Sequence, residues 1–222
     1  MPNRLRNNSL SLVLLTLFLL FWIGQSVVGH RQFNADQREH QEAEVAYSAY
    51  LGSSHFWEAT SENWESEFLQ IFAFIVLTAV LVQKGSAESK KIDQMEPVDR
   101  DPRRARKTSD TPGPVRRGGL MLDLYQHSLS LTFLALFLVS FFVHAASGAV
   151  HYQNEQAAHG NSTSSALFAY LGTSRFWFES FQNWQSEFLS VASMVLLTIV
   201  LRERGSPQSK PVDAPHAETG SS

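Results

Sequence analysis

The sequence predicts an all-α membrane protein: four transmembrane helices arranged as two tandem parallel-repeat hairpins with amphipathic outer helices. Three observations carry that expectation. The first is a repeat. Ala49-Tyr50-Leu51-Gly52-Ser53-Ser54-His55-Phe56-Trp57 returns as Ala169-Tyr170-Leu171-Gly172-Thr173-Ser174-Arg175-Phe176-Trp177. Asn63-Trp64-Glu65-Ser66-Glu67-Phe68-Leu69 returns as Asn183-Trp184-Gln185-Ser186-Glu187-Phe188-Leu189, and half of the positions agree between Ala49–Lys90 and Ala169–Lys210. The second is that each copy holds two apolar blocks of about 18–22 residues, or about 27–33 Å of helix, which matches the bilayer core. The third is a one-sided distribution of Lys and Arg.

The apolar blocks give spans at about 10–28, 64–82, 129–150 and 184–201. A whole-chain mean hydropathy of -0.14 hides them, because polar loops dilute the average. The first block follows Arg4 and Arg6 and has a signal peptide as its rival. Ser9-Leu10-Ser11-Leu12 recurs in mid-chain as Ser128-Leu129-Ser130-Leu131, where no signal peptide can stand, so the block is read as a span. The fourth block is the shortest, and its kinship with Trp64–Val82 makes it a span. Within the first spans the copies are offset by 119 residues, and from Ala49 onward by 120.

Orientation follows from charge. Of 18 Lys and Arg, only Arg31, Arg38 and Arg175 fall in the hairpin loops; the rest precede the first span, lie in Lys84–His127, or follow the last span. Both termini and the linker are therefore expected in the cytoplasm. The copies start on the same side and each crosses twice, so they are parallel repeats about a pseudo-two-fold axis along the membrane normal. The domains are residues 1–91 (first hairpin), 92–119 (charged flexible cytoplasmic linker), 120–211 (second hairpin) and 212–222 (loose tail). Arg103-Arg104-Ala105-Arg106-Lys107 and Arg116-Arg117 read as attraction to anionic lipid headgroups rather than to nucleic acid. The chain has no cysteine, so disulfide and thiol chemistry are excluded.

Ser53 and Thr173 follow glycines and are expected to be helix N-caps. Gly85 and Gly205 are expected to be left-handed C-caps. Ala192 and Ser193 offer a small surface for close helix packing.

The candidate polar site is drawn from residues near span edges. Asn63 and Glu67 share a helix face at i, i+4, and Asn183 and Glu187 are their copies. One reading is interfacial, with acids favoured near a helix N-terminus and Asn joining helices. The other is a paired carboxylate site at the pseudo-two-fold axis. Gln25 aligns with His144 inside the first spans, where polar groups face a bundle interior. Trp57, Trp64, Phe68, Trp177, Trp184 and Phe188 read as an interfacial aromatic belt, or as a groove for lipid or quinone. Six of the eight His (His30, His40, His55, His144, His151 and His159) fall toward the outer side, without H-x₃-H or HExxH spacing. No nucleophile elbow or P-loop occurs. The chain is accordingly read as a non-enzyme, with no cofactor and no metal. Asn161-Ser162-Thr163 fits a glycosylation acceptor.

Tyr50-Leu51-Gly52, Phe56, Asn63–Leu69 and Gly85-Ser86-Ala87-Glu88-Ser89-Lys90 resemble a family of small bacterial membrane proteins of unknown function, in the motif NWESEFLQ followed by a span and GSAESK. The resemblance covers nearly all of both copies and implies a bacterial cytoplasmic membrane, with no activity to carry over. In copy two Gln185 replaces Glu65, Ser190 replaces Gln70 and Gln208 replaces Glu88.

The leading expectation is a non-enzymatic scaffold or interaction module whose outer helices meet lipid, an envelope partner or a second copy. The alternative is a small oligomeric transporter or channel using Glu67, Glu187 and His144. A second alternative is a membrane enzyme acting on lipid or quinone.

Overall fold

A computed structural model describes residues 3–92, 94–158 and 166–220. His159 and Asn161-Ser162-Thr163 lie outside the described residues. Among the described residues there is helix and turn but no strand. Nine α-helices run in the order α1 (Asn3–Asn7), α2 (Ser9–Glu39), α3 (Tyr47–Tyr50), α4 (Ser54–Val80), α5 (Gly113–Arg117), α6 (Gly119–Gln126), α7 (Ser128–Ala158), α8 (Ala166–Leu171) and α9 (Ser174–Leu197) among the described residues.

Two helices, α2 and the Ser128–Asn154 part of α7, are long and apolar enough to cross a membrane. Each of these helices has 31 residues, about 46 Å at 1.5 Å per residue, so each outruns a hydrocarbon core of about 30 Å. Their apolar side chains are mostly exposed; Phe21 is 73% and Leu10 73% accessible. Helices α4 and α9 do not reach that standard. Both devote their first half to polar and aromatic residues, and α9 stops at Leu197, before the apolar run ends.

The predicted N-caps are present. Phe56 N–H donates to Ser53 Oγ and Phe176 N–H to Thr173 Oγ1, each at 3.2 Å. The predicted C-caps differ. Gly85 and Gly205 are left-handed, at φ +86° and +85°, but α4 and α9 have already ended at Val80 and Leu197. Each glycine instead serves a turn beyond the helix, closed by Ser86 N–H to Gln83 O and Ser206 N–H to Glu203 O. The reason is local. A serine four residues after each glycine accepts the backbone N–H ahead of the turn: Gln83 N–H to Ser89 Oγ at 2.8 Å, Glu203 N–H to Ser209 Oγ at 2.9 Å. The chain folds into a hook rather than prolonging the helix.

The chain divides into two compact units. Unit one is Met1–Thr60 with Val143–Tyr170; unit two is Ser61–Phe142 with Leu171–Ser222. Each draws on both halves of the sequence.

Unit one is organised by tyrosines set against glycines. A Cβ at Gly29 would lie 2.3 Å from the Tyr50 hydroxyl, and one at Gly148 would lie 2.3 Å from Cε1 of Tyr170. Ala145 and Ala149 flank Gly148 at helical spacing and are buried, so the end of α7 offers a smooth notch for the fully buried Tyr170 ring. In unit two, Ala192 is exposed and Ser193 half-buried. The segment after α2 is fixed by Asn34, whose side-chain amide donates to Val45 O and accepts from Val45 N–H, at 3.0 and 2.9 Å.

In unit two the first hook docks on the end of α9. Ser86 Oγ and Ala87 N–H meet Thr198 Oγ1 at 3.1 and 3.2 Å, and Gly85 N–H donates to Thr219 Oγ1. The final residues are tied back by cations. Lys210 Nζ donates to the carbonyls of Pro215, His216 and Glu218, and Arg202 to those of Pro211 and Ala214. The linker carries two 3₁₀ turns, Pro97–Asp99 and Pro102–Arg104, and the ion pairs Lys90–Asp99 and Arg103–Asp123.

Both glycine contacts are testable in detergent by thermal unfolding. Gly29→Ala and Gly148→Ala should each destabilise by about 1–3 kcal/mol through overpacking. Tyr50→Phe should rescue Gly29→Ala, because only the hydroxyl stands closer than 3 Å there. Tyr170→Phe should not rescue Gly148→Ala, because a ring carbon makes the clash.

Candidate functional site

In unit two, the duplicated blocks lie along one seam between α4 and α9. Trp184 Nε1–H donates to Glu65 Oε1 at 3.0 Å, and Glu65 is fully buried. Asn183 Nδ2–H donates to Glu62 Oε1 and to Glu179 O. Gln70 Nε2–H donates to Glu187 O and to Ser190 Oγ, both at 3.3 Å. The partners climb together, 62 with 183, 65 with 184 and 70 with 190, so the helices run in the same direction along the seam. Positions 70 and 190 are equivalents in the sequence repeat, and here they touch each other.

Of the sequence-predicted polar residues, Gln25 and His144 fall in unit one, and Asn63, Glu67, Asn183 and Glu187 in unit two, where Glu67 stands near enough to Glu187 to act on its charge. Asn183 joins the seam, whereas Asn63 is exposed. Glu67 is exposed and Glu187 half-buried, its backbone carbonyl serving Gln70. Serines behind both Asn bond alike, Ser66 Oγ–H to Asn63 O and Ser186 Oγ–H to Asn183 O, each at 2.8 Å. In unit one, Gln25 is exposed on α2 while His144 is fully buried on α7.

Of the predicted aromatic set, Trp57, Trp177 and Phe188 are exposed, and Trp64, Phe68 and Trp184 half-buried. Phe181 packs against both Trp177 and Trp184, with ring centroids 5.5 Å apart in each case. Phe68 meets Phe133 at 6.2 Å, and Trp177 Nε1–H is satisfied by Leu171 O. The rings pack with one edge and leave another open, as amphipathic side chains do at an interface.

A second cluster, in unit one, escaped the sequence reading. Glu58 is buried and accepts from Tyr170 Oη–H at 3.2 Å, while its other oxygen lies 3.0 Å from His151 Nδ1. His151 and His55 rings meet at 6.2 Å, and Tyr50 Oη lies 3.4 Å from His55 Nδ1. Two tyrosines, two histidines and a carboxylate thus cluster, with ring packing rather than a hydrogen bond at the His55–His151 step. Tyr50 and Tyr170 were visible as a repeated pair, and His55 and His151 as outer-side histidines. Glu58 was not, because its repeat equivalent is Phe178. His55 titrates below its ordinary value of 6.5; burial is the main cause, followed by His151, against the opposing pull of Glu58 and Asp36. Burial, with a smaller contribution from Tyr47, pushes Tyr50 up.

With the fold and its polar clusters in view, comparison over residues 1–221 finds the domain of unknown function DUF6766. The chain belongs to the DUF6766 family. No curated protein and no solved structure is matched by this DUF6766 chain.

Two measurements probe the clusters. A double-mutant cycle of Glu65→Ala with Trp184→Phe should give a coupling of about 1 kcal/mol, the usual net size of a hydrogen bond. Additive losses would show that the bond contributes nothing. For His55, the folded pKa is lowered, so the folded chain keeps it neutral where the unfolded chain protonates. Stability carried by neutral His55 is complete above the ordinary pKa and is lost as pH falls through it toward the lowered value. Thermal unfolding followed from about pH 7.5 to about pH 5 should show that decline, and His55→Gln should flatten it.

Proposed function

We propose that this chain is a four-span protein of the bacterial cytoplasmic membrane, acting as a non-enzymatic scaffold or interaction module at the outer interface. Helices α2, α4, α7 and α9 carry the crossings, both termini are cytoplasmic, and the halves are tandem parallel hairpins. The observation that carries this is the α4–α9 seam. Gln70 touching Ser190 is what a two-fold relation between the copies requires, since only at such an axis does a position meet its own equivalent. The block's polar groups are used on each other, in Glu65–Trp184, Glu62–Asn183 and Gln70–Ser190. That is the behaviour of helix-joining groups rather than of a substrate site. The exposed apolar surface of α2 and α7 supports the membrane setting. The partners are the lipid bilayer and a second copy or envelope protein, with nucleic acid excluded by the acids within the basic linker.

The absence of native cysteine makes the topology easy to test. Glu42→Cys should react with an impermeant maleimide in intact cells, and Ser109→Cys only after permeabilisation. Labelling of both from outside would overturn the topology. Crosslinking in native lipid that repeatedly yields neither an oligomer nor an envelope partner would sink the scaffold role.

One observation favours a second reading, a small oligomeric transporter: the cluster of Tyr50, His55, His151, Glu58 and Tyr170. It joins the earlier candidates Glu67, Glu187 and His144 as groups able to exchange protons. Proteoliposomes showing no proton or cation flux at any pH would eliminate it.

A further inference from the structure

Unit one contains an open cavity of about 240 Å³ walled by Trp22, Ile23, Leu51, Phe56 and Trp57. Its polar residues are Ser26 and Tyr47, and their hydroxyls are joined to each other at 2.6 Å, with Ser26 Oγ–H also within 2.8 Å of Ile23 O. Those bonds leave an apolar interior. Trp22 and Phe56 hold one side, with ring centroids 6.1 Å apart, and Phe18 stacks behind Trp22 at 5.9 Å. Apolar cavities of roughly 150 Å³ stay dry and accept a benzene-sized guest, so a larger one with the same chemistry takes a hydrocarbon segment.

Its position says which hydrocarbon. Ile23, an exposed wall residue, continues the exposed apolar face of α2 through Phe18, Leu19 and Val27. Trp22 and Ser26 lie about 18–24 Å along the helix from Leu10, in a hydrocarbon core of about 30 Å. With the N-terminus in the cytoplasm, that depth is the outer leaflet, just below its headgroups. We propose that this cavity holds an acyl chain of an outer-leaflet phospholipid, gripped between α2 and the start of α4. The proposal rests on α2 being a membrane span.

Native mass spectrometry of the full-length protein, released from membranes in mild detergent, tests it. The wild-type protein should carry one tightly held phospholipid. Ser26→Leu and Leu51→Trp each enlarge a side chain of the cavity lining. Each should weaken phospholipid binding about tenfold in a titration, the loss expected when about two buried methylenes are displaced. Unchanged helix content by circular dichroism shows that a variant is folded. Retention of the lipid by both folded variants overturns the proposal, as does recovery of an isoprenoid quinone in place of a phospholipid. An alkaline carbonate wash of the membranes separates the two levels. A chain that stays with the membrane but brings no lipid overturns only the acyl-chain site, whereas a chain that washes off overturns the span as well.

Discussion

The ring of Tyr170, pressed into the notch at Gly148, is the contact on which unit one depends. It is fully buried, and a Cβ on Gly148 would stand 2.3 Å from it. That closeness fixes where its hydroxyl points. The hydroxyl reaches Glu58, and Glu58 in turn holds His151, which abuts His55. A packing constraint among Ala145, Gly148 and Ala149 is thereby converted into the geometry of a buried polar cluster. A missing side chain matters more here than any added one, because the glycine admits a phenol to a depth where an unsatisfied hydroxyl would be costly.

Unit two depends on a different economy. Along the α4–α9 seam carboxylate, amide and indole groups each find a partner on the facing helix. Glu65 is the clearest case, since an acid with no exposed surface needs a donor, and Trp184 supplies one. The hooks after Val80 and Leu197 use the same parts, a left-handed glycine and a serine four residues on. They differ in what they anchor. Lys90 reaches the carboxylate of Asp99, while Lys210 is surrounded by backbone carbonyls.

The all-helical class, two membrane-length helices, both N-caps and the left-handed glycines were legible in the letters, because each is a local property. Apolar run length, a hydroxyl before a helix and a glycine after one need no knowledge of distant partners. The seam was legible in part: the block Asn63–Leu69 and Asn183–Leu189 drew notice, but Glu62 and Gln70 lie at its edge and pair only across helices. The Glu58–His151–Tyr170 cluster was not legible. Searching by repetition passes over a residue whose equivalent differs, and Phe178 stands opposite Glu58. The tyrosines recur together with the glycines they pack on, Gly29 and Gly148, whereas the polar groups beside them do not.

That asymmetry has a physical cause if the seam lies on a two-fold axis. Away from such an axis each contact would occur twice, once per copy; bonds within one helix, such as Ser66–Asn63 and Ser186–Asn183, recur whatever the axis. At the axis, position 70 meets position 190 once, and one bond needs one donor and one acceptor. Gln70 supplies the donor and Ser190 the acceptor, so unlike residues serve better than like ones. The same holds beside it, where Glu65 accepts from Trp184 while its own equivalent has become Gln185. On such an axis, divergence at 65/185 and 70/190 within an otherwise repeated block would mark where the two halves of the sequence face each other.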